Sequence, residues 1–137
     1  MEVKFLCIKK DTLNDLRKRA LSSDIEVCAV LLGKVEGDKA IVYEIKYGKN
    51  IRESSIEFEI DPSDLYKIII YGERKGLEVI GLAHSHPAAP KPSKSDLNGM
   101  KLWPVPWLII SSIDGAYACF IYEIKRKEIR EIKVILT

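Results

Sequence analysis

Apolar and polar residues alternate over positions 2–8, the period of a strand with one buried face. The period then lengthens. "DTLNDLRKRALSS" sets Leu13, Leu16, Ala20 and Leu21 on one helical face, with Asp11 or Thr12 placed to cap it. From Glu26 to Gly33, "EVCAVLLG" is continuous apolar sequence after one carboxylate, the pattern of a strand covered on both faces. Gly37-Asp38 turns the chain into a second strand at 39–47.

A polar loop leads to "IEFEI", a short strand. In "DPSDLYKIIIYGERKG", Asp61 is an N-cap, Pro62 occupies the first helical position and Gly76 lies just past the end. "LEVIGLAHSH" is strand again, and a third helix runs from near Ser93 to before Pro104. The tail holds a hairpin, "WLIISS" then "AYACFIYEI" across Asp114-Gly115, and a last strand at 128–136. About seven strands and three helices in mixed order predict an α/β fold, a single mixed sheet with helices packed on it. No repeat or linker interrupts the pattern, so residues 1–137 read as one domain.

Composition narrows the class. Hydrophobic residues make up 47% and charged residues 31%, as in a globular protein. A net charge of +2, spread along the chain, gives no reason to propose a nucleic-acid or membrane surface. Cys7, Cys28 and Cys119 sit inside apolar runs without a CxxC, which suggests buried thiols in a reducing compartment. The N-terminus lacks the apolar core of a signal peptide, and the expected location is cytoplasmic.

Both histidines fall in "GLAHSHPAAPKPSKSDL". On a strand, His84 and His86 project to one face while Ser85 points away. Two such imidazoles grip a zinc ion well, but a hydrolytic site needs a third protein ligand. Asp96 is a candidate: if Ser93 caps the third helix, Asp96 lies in its first turn, beyond a loop stiffened by Pro87, Pro90 and Pro92. Ser-x-x-Asp at a helix start is equally a capping pattern. Other HxH architectures fail: an amidohydrolase barrel needs far more chain. A metallo-β-lactamase-like HxHxDH meets Ala88 instead of aspartate, and "PAAPKP" lacks a cupin's glutamate.

Taken together, Glu26, "HSHP" at 84–87 and "SKSD" at 93–96 resemble the signature of the JAMM (MPN-plus) metalloprotease family. "DIEVCAVLLG" looks like that family's glutamate-bearing strand, and the resemblance covers nearly the whole chain. The loop between His86 and Ser93 is one residue shorter than the usual pattern, and Ala29 stands where many members have glycine. The resemblance implies the JAMM/MPN (cytidine-deaminase-like) fold. It also implies one Zn²⁺ held by His84, His86 and Asp96 with a water, Glu26 as general base, and Ser93 stabilising the oxyanion.

Short members of this kind resemble archaeal proteins that act on ubiquitin-like modifiers. The implied activity is hydrolysis of the amide after a modifier's C-terminal diglycine, releasing it from lysine conjugates. Relatives that process sulfur-carrier proteins or small peptide and amino-acid substrates, and metal-free MPN scaffolds, are the alternatives. Trp103 and Trp107 read as a protein-binding patch or as core, and Met100 to Val105 as one candidate homodimer surface. Cys28, two residues from Glu26, would share its face on a regular strand.

Overall fold

The computed structural model describes residues 2–50 and 60–137. In chain order the elements are β1 (Phe5–Ile8), α1 (Lys10–Ser22), β2 (Cys28–Glu36), β3 (Lys39–Gly48) and α2 (Pro62–Arg74). Then follow β4 (Glu78–His86), α3 (Lys94–Leu102), β5 (Trp107–Ser111), β6 (Tyr117–Glu123) and β7 (Glu128–Leu136). The expected strand "IEFEI" lies outside the described residues except for Ile60, which bridges Asn50. Among the described residues no helix is long and apolar enough to cross a membrane.

The strands are ordered β1-β3-β2-β4-β5-β6-β7 and the sheet closes on itself. The single mixed sheet with packed helices is as expected, and its closure is the added feature. The closing element is β1, which pairs in parallel with β3 on one side (Leu6 opposite Ala40) and with β7 on the other (Leu6 opposite Val134). Periodicity reports which face of a strand is buried and is silent on its neighbours, so closure was not readable. Closure removes the unpaired edges an open sheet must otherwise protect.

Two apolar layers explain the continuous run in β2. Ala29 and Leu31 face a core with Leu13, Leu16 and Ala20 of α1, while Val30 and Leu32 face a second core with Ile68, Met100 and Trp107. Each strand face is buried against a different helix layer.

The start of α1 differs from expectation. Its N-cap position is Lys9 and no side chain caps it, so neither Asp11 nor Thr12 has that role. The chain leaves β1 straight into the helix, and the Lys10 N–H donates to the Thr137 carbonyl at 3.1 Å beyond the end of β7. Leu21 is 49% exposed: the last turn of α1 carries it past the core, beside the turn at Gly115. The signals on α2 appear as expected, with the Asp61 carboxylate accepting from Ser63 N at 2.8 Å and Gly76 at φ +72°.

The pairing of β2 with β3 slips between Leu32 and Gly33, and a Cβ on Gly33 would lie 1.8 Å from the Ile41 carbonyl oxygen. That contact is backbone to backbone, so no side-chain rotation relieves it. Gly33→Ala should therefore destabilise the barrel by roughly 1–3 kcal/mol or more. Urea denaturation should show a lower midpoint with an unchanged slope.

Candidate metal centre

The site is built where β2 and β4 run antiparallel, with Cys28 opposite His84. Glu26 stands just before β2 rather than on it, since the strand begins at Cys28. The condition for Cys28 to share a face with Glu26 is therefore not met. The thiol instead donates to the Gly48 carbonyl at 3.3 Å. Burial, then the nearby Glu26 and Asp64 carboxylates, push Cys28 up to about 12, so it rests as a thiol rather than a reactive thiolate.

Glu26, His84 and Asp96 form a buried row. His84 Nε2 lies 3.1 Å from Asp96 Oδ1, and its Nδ1 lies 3.7 Å from Glu26 Oε1. Both carboxylates are 3% exposed. Burial disfavours charge on His84, but Asp96 and Glu26 on its two sides outweigh it and raise its pKa to about 9. Asp96 is also desolvated, yet His84 and the hydrogen bonds from Ser93 hold its carboxyl below the ordinary range. Glu26 Oε2 is buried with no hydrogen-bond partner among the described residues.

His86 lies beside this row at the end of β4. Its ring centroid is 5.7 Å from that of His84, and its Nε2 lies 3.0 Å from the Lys91 carbonyl. A carbonyl only accepts, so this contact puts the proton on Nε2 and leaves the lone pair on Nδ1. The short proline loop thus folds back onto the second histidine, its turn closed by Ala88 N donating to His86 O at 2.9 Å. Among the described residues no group of three or more His, Cys, Asp or Glu side chains gathers its donors as a metal would. The structure brings Glu26, His84 and Asp96 together, with the neighbouring His86 engaged at Nε2 by the Lys91 carbonyl.

The residues still fit a zinc ion in kind. Two imidazoles and one carboxylate are the donor set of hydrolytic zinc sites. The spare buried oxygen of Glu26 has the character of a group awaiting a further partner.

Ser93 and Asp96 show how one residue pair serves as cap and as site. Ser93 Oγ accepts from Asp96 N at 3.1 Å, and Asp96 Oδ2 accepts from Ser93 N at 2.9 Å, a complete capping box. The cap occupies Oδ2 of Asp96, while Oδ1 meets His84. Ser85, pointing away from this row, accepts the Val27 N–H on its hydroxyl at 2.9 Å.

The tryptophans are core residues. Trp107 is 3% exposed, meets the His84 ring edge-on at 5.8 Å, and donates from Nε1 to the Trp103 carbonyl at 3.0 Å. Trp103 packs against the same cluster. Met100 is fully buried, which removes it from the candidate dimer surface. The residue that sequence reasoning missed is Asn50, whose buried side chain donates to the Glu26 carbonyl at 3.2 Å. No local pattern could have marked it, because the contact joins distant segments.

Among the described residues, then, a closed sheet of seven strands carries the buried Glu26–His84–Asp96 row beside the Ser93 capping box. Residues 10–125 match the family described as prokaryotic homologs of the JAB domain, and the chain belongs to that family. It is similar to a desampylase from Pyrococcus furiosus, with 39% identity over 96% of this chain and 90% of the relative. Among solved structures, a protein from Desulfitobacterium hafniense shares the fold with a TM-score of 0.83 at 24% identity, covering 97% of this chain and 92% of its own. A protein from Salinibacter ruber aligns with a TM-score of 0.72 at 26% identity, over 98% and 92% of the two chains.

Removing the Ser93 hydroxyl in Ser93→Ala takes away half the capping box and should cost about 1 kcal/mol of stability. Ser93→Thr keeps the acceptor oxygen and should recover most of it. Thermal and urea melts of the two variants, side by side, measure the difference.

Proposed function

We propose that this protein is a zinc-dependent isopeptidase that hydrolyses the amide after the C-terminal diglycine of a ubiquitin-like modifier. The observation carrying this reading is the buried row of Glu26, His84 and Asp96, with one Glu26 oxygen uncommitted. Similarity to a desampylase over nearly the whole chain supports the substrate class.

His84, His86 and Asp96 are the residues that would hold one zinc ion, which when bound supplies a polarised carbonyl and a more acidic water. Glu26 takes a proton from the attacking water as the water oxygen adds to the carbonyl carbon. It then delivers that proton to the nitrogen of the departing lysine amine as the C–N bond breaks. Acid–base work of this kind is typically worth about 10²–10⁴-fold. Ser93 Oγ, although it accepts from Asp96 N, keeps its own proton to donate toward the carbonyl oxygen as negative charge grows there. A diglycine tail carries no side chains to obstruct a close approach, and an extended tail binds through its backbone as an added strand.

The test is release of a ubiquitin-like modifier from a lysine-linked conjugate, with and without a zinc chelator. Release should vanish on chelation and return with zinc. Glu26→Gln should lower kcat by about 10²-fold or more while metal analysis shows unchanged zinc content. If zinc-loaded protein releases no diglycine-ended modifier, the substrate class is wrong. Trimming of a sulfur-carrier protein with lysine conjugates left intact would move the assignment to that substrate. Protein that cannot retain zinc removes the mechanism.

A further inference from the structure

Glu26 precedes β2, so the strand's hydrogen-bond ladder does not hold its backbone. Among the described residues, three other bonds hold Glu26 and its neighbour Val27. Ser85 Oγ accepts from Val27 N at 2.9 Å, and Ser85 N donates to Val27 O at 3.0 Å. The third is Asn50 Nδ2 donating to Glu26 O at 3.2 Å. Because a carbonyl only accepts, this bond fixes which end of the Asn50 amide faces Glu26.

Asn50 is itself tied down from several sides. It bridges Ile60, and its neighbour Lys49 accepts from Asp61 N at 2.8 Å and donates its own N–H to Asp64 Oδ2 at 2.9 Å. The end of β3 is thereby fastened to the first turn of α2, and the Asn50 amide is aimed from that junction. Asn50 is 3% exposed, and it lines with Glu26 a cavity of about 350 Å³ that also meets Arg19, Cys28 and Tyr47. A carboxylate on backbone outside the strand ladder keeps its direction only if the carbonyl beneath it is fixed.

We propose that Asn50 is a positioning residue for Glu26: its side-chain amide holds the Glu26 carbonyl and so sets where the carboxylate points. The structural claim stands on the hydrogen bonds, and its kinetic consequence rests on the isopeptidase reading. Asn50→Asp is nearly isosteric but its carboxylate has no N–H to donate, whereas Asn50→Gln keeps the donor on a longer arm.

Amide hydrogen exchange, read by NMR on zinc-loaded protein, needs no substrate. In Asn50→Asp the Val27 amide should exchange about tenfold faster, the expected scale for loss of one hydrogen bond. Amides of β5 and β6 should keep their rates, and Asn50→Gln should move Val27 back toward the parent value. In the cleavage assay, kcat of Asn50→Asp should fall by about 10- to 10²-fold with KM within about twofold, as expected for a displaced catalytic group. Zinc content should not change, and Glu26→Gln should mask the effect when the two changes are combined. Unchanged Val27 exchange in Asn50→Asp would overturn the proposal, as would faster exchange spread equally through β5 and β6. Parent-level kcat in Asn50→Asp would overturn its catalytic consequence. If the parent protein releases no modifier, the isopeptidase reading fails, and exchange alone still decides whether Asn50 holds Glu26.

Discussion

The antiparallel pairing of β2 with β4 is the constraint on which the site depends. It sets Cys28 opposite His84 and so delivers Glu26 to the first histidine. Side-chain burial enforces that register: a slip of one residue would turn His84 out and Ser85 in. The register is held on both sides, by Val30 and Leu32 against one apolar layer and by Ala29 and Leu31 against the other. Ser85 adds a polar lock, since its hydroxyl and its N–H both engage Val27. The residue between the two histidines thus contributes by holding the glutamate's neighbour.

The local features of this fold were legible because they are local. Asp61, Pro62 and Gly76 mark α2 through capping and φ preference, and Ser93 marks α3 in the same way. The buried faces of β2 were visible as an unbroken apolar run. Closure of the barrel was not, because β1 finds β7 across almost the full length of the chain. The cap of α1 was misjudged for the same reason. Asp11 and Thr12 have the right chemistry, but a carbonyl from Thr137 had already taken one of the helix's first N–H groups. The neighbours Glu26, His84 and Asp96 had been singled out through motif and family resemblance. Asn50 could not be, since an asparagine just past a strand looks like any turn residue.

Asp96 resolves a tension that its sequence context posed. A carboxylate at the third position of a helix can cap, or it can serve a site, and the two uses compete if both need the same oxygen. Here they do not. Oδ2 is spent on the Ser93 N–H and Oδ1 remains for His84. The cap also orients the carboxylate, so the helix terminus performs the positioning that a separate outer partner supplies in many metal sites. Placing acid in the first helical turn adds a favourable interaction with the helix dipole.

Burying acidic groups together is costly unless their charge is met, since desolvation of each ion costs several kcal/mol. Glu26 and Asp96 flank a single imidazole, and one imidazolium can neutralise at most one of them. The raised proton affinity of His84 expresses that imbalance. On the proposed reading, a bound divalent cation would meet this negative charge and favour the neutral, coordinating form of the imidazole. It would also compete for His86, whose Nδ1 is left with the lone pair by the Lys91 contact. On the proposed reading His86 would join His84 and Asp96 in one site, with the loop carbonyl of Lys91 already against its ring.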